Sequence, residues 1–378
     1  MGLSASTAVF LASLTGIPIA YMLNLMAASL DEKYVFAAGV ISLIAIVVLT
    51  YVLADNKKKL SDPLFYVFSI CCFSSVIDLL IGLENDGVLS GFVSFYLKDG
   101  EPYLKSAHGT LICYWDGIGH YVMYLMMLSA MAWNQDFRDC GLYWVGSIGH
   151  SLFVFLPGNV IGKYGVKWSF LLNVPYVIVP IYALARFLNE RPKATIPKKQ
   201  SQTEYSPIWK RPVDMLLILY LAASLVLAMF RGFTVLGCNP WYIRDVEPYL
   251  TDPTSYPMLQ MLVYMFYFIP YYCMAMYGLV VPGCSWMPDW AMVHAGAAIQ
   301  AQISHIGSAI HDRTPYIHRI PMTFDSMLPF LAINLPLLII PQLMAARCLM
   351  SSEYFMPVEE KSNDSLKPSQ KRETKKIK

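Results

Sequence analysis

Six polar side chains interrupt the apolar stretches in the first half of this chain, and their types suit proton exchange or the holding of a cation. Asp78 ends the string Cys-Cys-Phe-Ser-Ser-Val-Ile-Asp, and Ser74 stands four residues before it, where a hydroxyl can hydrogen-bond the carboxyl. Asp116 lies in Cys113-Tyr-Trp-Asp-Gly117, with His120 at i+4 on the same helix face and the rings of Tyr114 and Trp115 beside it. Glu101 occupies the preceding loop, and Asn173 brings an amide into a later apolar stretch, where nearby prolines also free backbone carbonyls. A charge near the centre of a bilayer costs roughly 2.5–3.5 kcal/mol on insertion scales, so each needs a reason. Two carboxyls in a low-dielectric bundle have their pKa values pushed apart, which is what an acid–base pair requires. Asp78 and Asp116 are therefore the candidate catalytic residues, and Ser74, Glu101, Tyr114, Trp115, His120 and Asn173 the candidate ligand-binding ones. The plainer alternative is that these groups hydrogen-bond one another and fix helix register. Asp78 could instead pair with Arg231 or reach interfacial water, and Glu101 could be a loop contact.

The elements that must position them are transmembrane helices. The 378 residues are 56% hydrophobic and 14% charged, with mean hydropathy +0.46. Soluble chains carry about 25% charged residues, and apolar runs long enough for a bilayer core of roughly 30 Å recur throughout. The runs predict ten helices, at about 7–29, 35–54, 62–83, 108–133, 141–161, 168–188, 213–236, 258–282, 289–310 and 325–349. The first is too long for a signal peptide and lacks its basic flank. With both termini cytosolic, nineteen Lys and Arg fall on the cytosolic side against eight opposite, which sets the expected orientation. The fold class expected is an all-α polytopic membrane protein. Residues 1–60 give two leading helices, 61–187 and 213–350 two four-helix units, 188–212 a cytosolic linker, and 351–378 a charged, disordered tail.

The two units repeat each other. Glu101-Pro-Tyr-Leu104 recurs as Glu247-Pro-Tyr-Leu250, and Asn173-Val-Pro-Tyr-Val-Ile-Val-Pro180 as Asn334-Leu-Pro-Leu-Leu-Ile-Ile-Pro341. Parallel repeats of this kind often flank a midplane site. The second unit lacks the acids. Arg231 falls roughly where the first unit has Asp78, and Tyr264-Met-Phe-Tyr267 replaces Tyr114-Trp-Asp116. Its ninth helix carries His294, Gln300, Gln302, Ser304 and His305 without a metal-ligand spacing, so interhelical hydrogen bonding is expected there.

A net charge of +2 gives no basic surface for nucleic acid. No P-loop, GxGxxG, GxSxG or HExxH element appears in context. No cofactor or metal is expected. The eight cysteines show no CxxC pairing and read as packing residues.

At these strings the chain resembles the transmembrane 6 superfamily, whose members contain two EXPERA domains. The matching stretches include AspProLeuPheTyrValPhe (62–68), GlyGluProTyrLeu (100–104), CysTyrTrpAspGly (113–117), LeuTyrTrpValGlySer (142–147), GlyCysSerTrpMetProAsp (283–289) and AlaGlnIleSerHisIleGly (301–307). EXPERA relatives include the emopamil-binding sterol Δ8–Δ7 isomerase and the sigma-2 receptor. The resemblance to the isomerase gives Asp78 and Asp116 the place of its two acids and Asn173 that of its amide, while Ser74 stands where its His would be. That departure removes one partner of the proton transfer and leaves binding of sterols or cationic amphiphiles intact, with the Trp115 ring face able to hold a cation.

The resemblance implies a regulator of lipid metabolism at endoplasmic-reticulum and related membranes. It points to triglyceride-rich lipoprotein secretion, lipid-droplet content and cholesterol handling. Membrane lipids and lipoprotein-assembly proteins would be its partners. The chain ends Lys375-Lys376-Ile377-Lys378, the form of a cytosolic di-lysine retrieval signal, which favours the endoplasmic reticulum and the ER–Golgi intermediate compartment over a lysosomal membrane. A sterol isomerase and a lipid transporter are the alternative functions.

Overall fold

The computed structural model describes residues 4–27, 29–53, 62–162, 165, 168–191 and 207–357. Lys375 and Lys376 lie outside the described residues, as do most of the linker and tail. Among the described residues the chain is helical, and eight helices are long and apolar enough to cross a membrane. Two further helical rods, Ala107–Ala132 and Met287–Ile310, complete the ten expected. The first is divided by a turn of π-helix. The second carries Gln, His and Ser where lipid-facing helices carry Leu and Ile, because it runs through the middle of the molecule and is largely buried by protein.

The first leading helix is formed by α1 (Ala5–Ser13) and α2 (Gly16–Ala27), joined at a turn, and the second is α3 (Glu32–Leu53). The first unit follows: α4 (Pro63–Asn85), α5 (Ala107–Trp115), α6 (Tyr121–Ala132), α7 (Arg138–Ile161) and α8 (Val174–Asn189). The second is α9 (Pro212–Val235), α10 (Tyr256–Val263), α11 (Ile269–Val280), α12 (Met287–Ile310) and α13 (Phe324–Met350). Local sequence sets the ends. Asp62 caps α4 by accepting from the Leu64 backbone N–H at 3.0 Å, and Pro63, which has no N–H to satisfy, stands first in the helix.

In each unit the second rod contains one π turn at the same place, Asp116–His120 between α5 and α6 and Tyr264–Phe268 between α10 and α11. This aligns Tyr264 with Asp116 and Phe268 with His120, two residues away from the register read off the sequence.

The units meet where α7 crosses α12, and the crossing is mirrored. A Cβ on Gly146 would lie 1.8 Å from the Val293 carbonyl oxygen, and one on Gly296 would lie 1.8 Å from the Tyr143 carbonyl oxygen. Only glycine lets the two backbones approach so closely, as in other small-residue contacts between membrane helices. Tyr143 extends the seam, donating to Gln342 Oε1 at 2.8 Å, and Gln342 Nε2 donates to the Ala295 carbonyl at 2.9 Å. Ion pairs hold both ends of the bundle. At one end Asp289 is held by Arg138 (2.7 Å) and Arg191 (2.5 Å). At the other, Asp86 at the end of α4 accepts from Tyr114 at 2.8 Å and faces His311 at 3.2 Å.

Candidate functional site

The Glu101 loop is built by polar groups of its neighbours. Glu84 Oε2 accepts from the Phe92 and Val93 backbone N–H groups, each at 2.9 Å. Asn24 of α2 donates to the Gly91 carbonyl at 2.9 Å and accepts from the Phe95 N–H at 2.8 Å. Together they bring the loop back over the bundle and turn Glu101 inward, where it is 5% exposed.

Below this loop lies a cavity of about 250 Å³, near the lower end of the range for small-molecule sites. Ser74 and Asp78 of α4, Glu101, Asp116 and Asn173 all line it, among mainly apolar neighbours such as Phe73, Ile77, Ile112, Leu152 and Phe155. Asp78, Glu101 and Asp116 are its charged wall residues, and no Lys, Arg or His lines it among the described residues. The leading helices supply one side, through Leu23, Asn24, Phe36, Gly39 and Ser42. The sequence placed the chamber within the first unit alone. The amide of Asn24 within an apolar run was the signal that α2 also belongs to it.

Asn173 donates to Glu101 Oε1 at 2.8 Å, and Tyr103 donates to the same oxygen at 2.6 Å. Asn173 sits at the junction of a short 3-10 turn (Trp168–Asn173) and α8, not inside a helix as the apolar run suggested, because Pro175 marks the start of the helix. Burial pushes the Glu101 carboxyl above the ordinary carboxylate range, against the donors Tyr103, Tyr96 and Asn173. Ser74 turns its hydroxyl to Tyr176, and Asp78 makes no side-chain hydrogen bond among the described residues, so the expected Ser74–Asp78 bond is not formed.

Asp116 is aimed by its own helix. Its Oδ1 lies 2.6 Å from His120 Nδ1, an ion-pair distance approached off the hydrogen-bond axis. His120 Nε2 is 2.8 Å from Ser147 Oγ, which also accepts from Trp115 Nε1 at 2.9 Å. Both imidazole nitrogens are thereby engaged, Nδ1 against Asp116 and Nε2 against Ser147. The order Asp–His–Ser has the distances of a nucleophilic triad. Ser147 is fully buried, however, and neither it nor His120 lines the cavity. A nucleophile without an approach for substrate performs no acyl transfer. The arrangement positions Asp116.

Three residues expected in the chamber therefore lie outside its wall. Tyr114 reaches Asp86. Trp115 packs against Gly119 and donates to Ser147, and it does not line the cavity. His120 acts on the chamber through Asp116 only.

The second unit repeats the acid–amide pair. Asn334 donates to Glu247 Oε1 at 2.9 Å, and both residues are fully buried. Arg231 reaches into the same place, pairing through Nη2 with Glu247 and donating to Asn334 Oδ1 at 2.9 Å, while its Nε approaches Tyr242 at 3.3 Å. This is the partner of Arg231; the alternative pairing with Asp78 does not occur. Burial alone would raise the Glu247 carboxyl, but the Arg231 guanidinium and the donors His305 and Asn334 hold it down at about 2. In α12, Gln302 donates to Tyr264 at 2.6 Å, Gln300 to Ser304 at 3.1 Å within the helix, and His294 stacks on Tyr271. The cysteines are free, and no group of His, Cys, Asp and Glu among the described residues could hold a metal.

Comparison with known proteins follows this division. A family model described as transmembrane 6 superfamily member 2-like, transmembrane domain, matches residues 15–198, and the EXPERA model matches residues 237–348. Transmembrane 6 superfamily member 2 of Mus musculus is 43% identical over 352 residues, 91% of this chain and 92% of the relative. The Homo sapiens protein of that name is 41% identical over 351 residues, with the same shares covered. No solved structure matches.

Proposed function

The chain belongs to the transmembrane 6 superfamily, and on that premise we propose that this multi-pass membrane protein regulates lipid handling by binding a sterol or a cationic amphiphile in its first unit. One observation carries the reading: an apolar chamber whose charged residues, Asp78, Glu101 and Asp116, are all acidic. Apolar walls favour a lipid-like body, and carboxyls that meet no Lys, Arg or His among the described residues of the cavity wall favour a ligand that brings a positive or proton-donating end. The process served is lipid metabolism: triglyceride-rich lipoprotein secretion, lipid-droplet content and cholesterol handling, with lipoprotein-assembly proteins as partners. The site of action is the endoplasmic-reticulum membrane, with both termini cytosolic. Changing Lys375 and Lys376 to Ser tests that location; redistribution beyond the endoplasmic reticulum supports it, and an unchanged distribution removes it.

The binding test uses an aminosterol and the purified protein in lipid nanodiscs. Asp78→Asn and Asp116→Asn should each weaken binding roughly 10- to 150-fold, the equivalent of the about 1.5–3 kcal/mol of a hydrogen bond to a charged group, with little loss of folded protein. Loss of folded protein in both variants would make the acids structural and defeat the reading. The second reading, a sterol Δ8–Δ7 isomerase, draws on Asp78 and Asp116 sharing one chamber. Conversion of Δ8- to Δ7-sterols in cells lacking their own isomerase, abolished by Asp116→Asn, would decide for it.

A further inference from the structure

The acid–amide pair is built twice with the same backbone and completed only once from within the chain. Glu101 (φ −124°, ψ 71°) and Glu247 (φ −134°, ψ 69°) each begin a Pro-Tyr-Leu turn of 3-10 helix, and each carboxylate accepts from an asparagine of the last rod of its unit. In the second unit the asparagine oxygen, Asn334 Oδ1, takes Arg231 Nη2. In the first, Asn173 Oδ1 accepts from none of the described residues, and the pair faces the cavity. We infer that the second unit is a cation site occupied by the chain's own Arg231, and that in the first unit Glu101 and Asn173 take the cationic end of a membrane amphiphile in the same way. The second half of this statement rests on the binding function proposed above; the first half stands on the Arg231 geometry alone. Arg231 and Glu247 are both fully buried, so no solvent stands in for either partner. The guanidinium engages Glu247, Asn334 and Tyr242 together, which is how a site recognises a flat, multi-donor cation. The chain then presents one accessible amphiphile site, not two.

The test has two arms. In the first, full-length Arg231→Ala is purified with and without ethylguanidinium. Its unfolding temperature should fall well below that of wild type and be restored by ethylguanidinium, whereas wild type and the double variant Arg231→Ala/Glu247→Gln should not respond. Where Arg231→Ala gives no folded protein alone, expression and extraction with ethylguanidinium should recover it. A variant that ethylguanidinium neither stabilises nor recovers overturns the inference. In the second arm, an aminosterol should bind wild type at one per chain, with a tenfold or greater loss in Glu101→Gln and Asn173→Leu and none in the corresponding 3-hydroxysterol. Two per chain, or indifference to Glu101→Gln, overturns it. Absence of aminosterol binding in wild type defeats the proposed function while the ethylguanidinium arm still decides the second unit.

Discussion

Replacing Gly146 by alanine tests the seam on which the whole arrangement rests. The added methyl would lie 1.8 Å from the Val293 carbonyl oxygen, and ordinary contact begins near 3.4 Å, so α7 and α12 must part by up to roughly 1.6 Å at the crossing. The obstruction is backbone on both sides, and no rotamer relieves it. Overpacking a tight interior typically costs about 1–3 kcal/mol. Separating two helices packed along most of their length also forfeits a quarter to a half of the contact energy at each gap of 0.5–1 Å, so about 3 kcal/mol is expected. Thermal unfolding in detergent or nanodiscs, read by Trp fluorescence, measures it. Gly296→Ala should cost as much, and the double variant clearly less than the two together, because one opening admits both methyls. The seam also sets the cavity: Ile148, Ser151, Leu152 and Phe155 of α7 line it, so the same variants should weaken amphiphile binding. A Gly146→Ala protein within about 0.5 kcal/mol of wild type would refute the packing argument.

Other expectations follow from particular contacts. His120→Ala should weaken aminosterol binding several-fold, about 1 kcal/mol, by releasing Asp116, while Trp115→Phe should change it far less; equal effects would show that His120 does not position the acid. Because the folded Glu247 carboxyl is held at about 2, below its ordinary 4.5, its stabilisation is full above pH 4.5 and is lost as pH falls toward 2. The stability difference between wild type and Glu247→Gln should accordingly shrink over that interval, and a constant difference would count against the ion pair. Arg138→Met should lower the unfolding free energy by about 1–3 kcal/mol by leaving Asp289 to Arg191 alone, and adding Asp289→Asn should return part of it.

Much of this was legible beforehand. Apolar runs located the ten rods because a bilayer imposes length and composition on each, and duplicated strings revealed the two units. Ser74, Asp78, Glu101, Asp116 and Asn173 stood out because polar atoms in hydrocarbon need partners, and the structure brings all five to one cavity. What stayed hidden depends on direction. Helical spacing put Asp116 and His120 on one face, but the π turn decides that the acid meets the cavity while the imidazole meets Ser147. Hydropathy assigned the leading helices to the membrane and could not say that they also wall the chamber. Composition marked Arg231 as costly without indicating whether Asp78 or Glu247 would answer it; only the folded loop brings Glu247 within reach.

The mirrored glycine crossing has an evolutionary consequence. A surface on which each copy offers the other the same glycine and the same carbonyl is self-complementary, the property required of an isologous dimer. Joined in a single polypeptide, two such subunits need no longer stay alike. One can close its acid–amide site with an internal arginine, while its sister keeps an open chamber. A duplicated ancestor would thereby gain division of labour without forfeiting the interface that held it together.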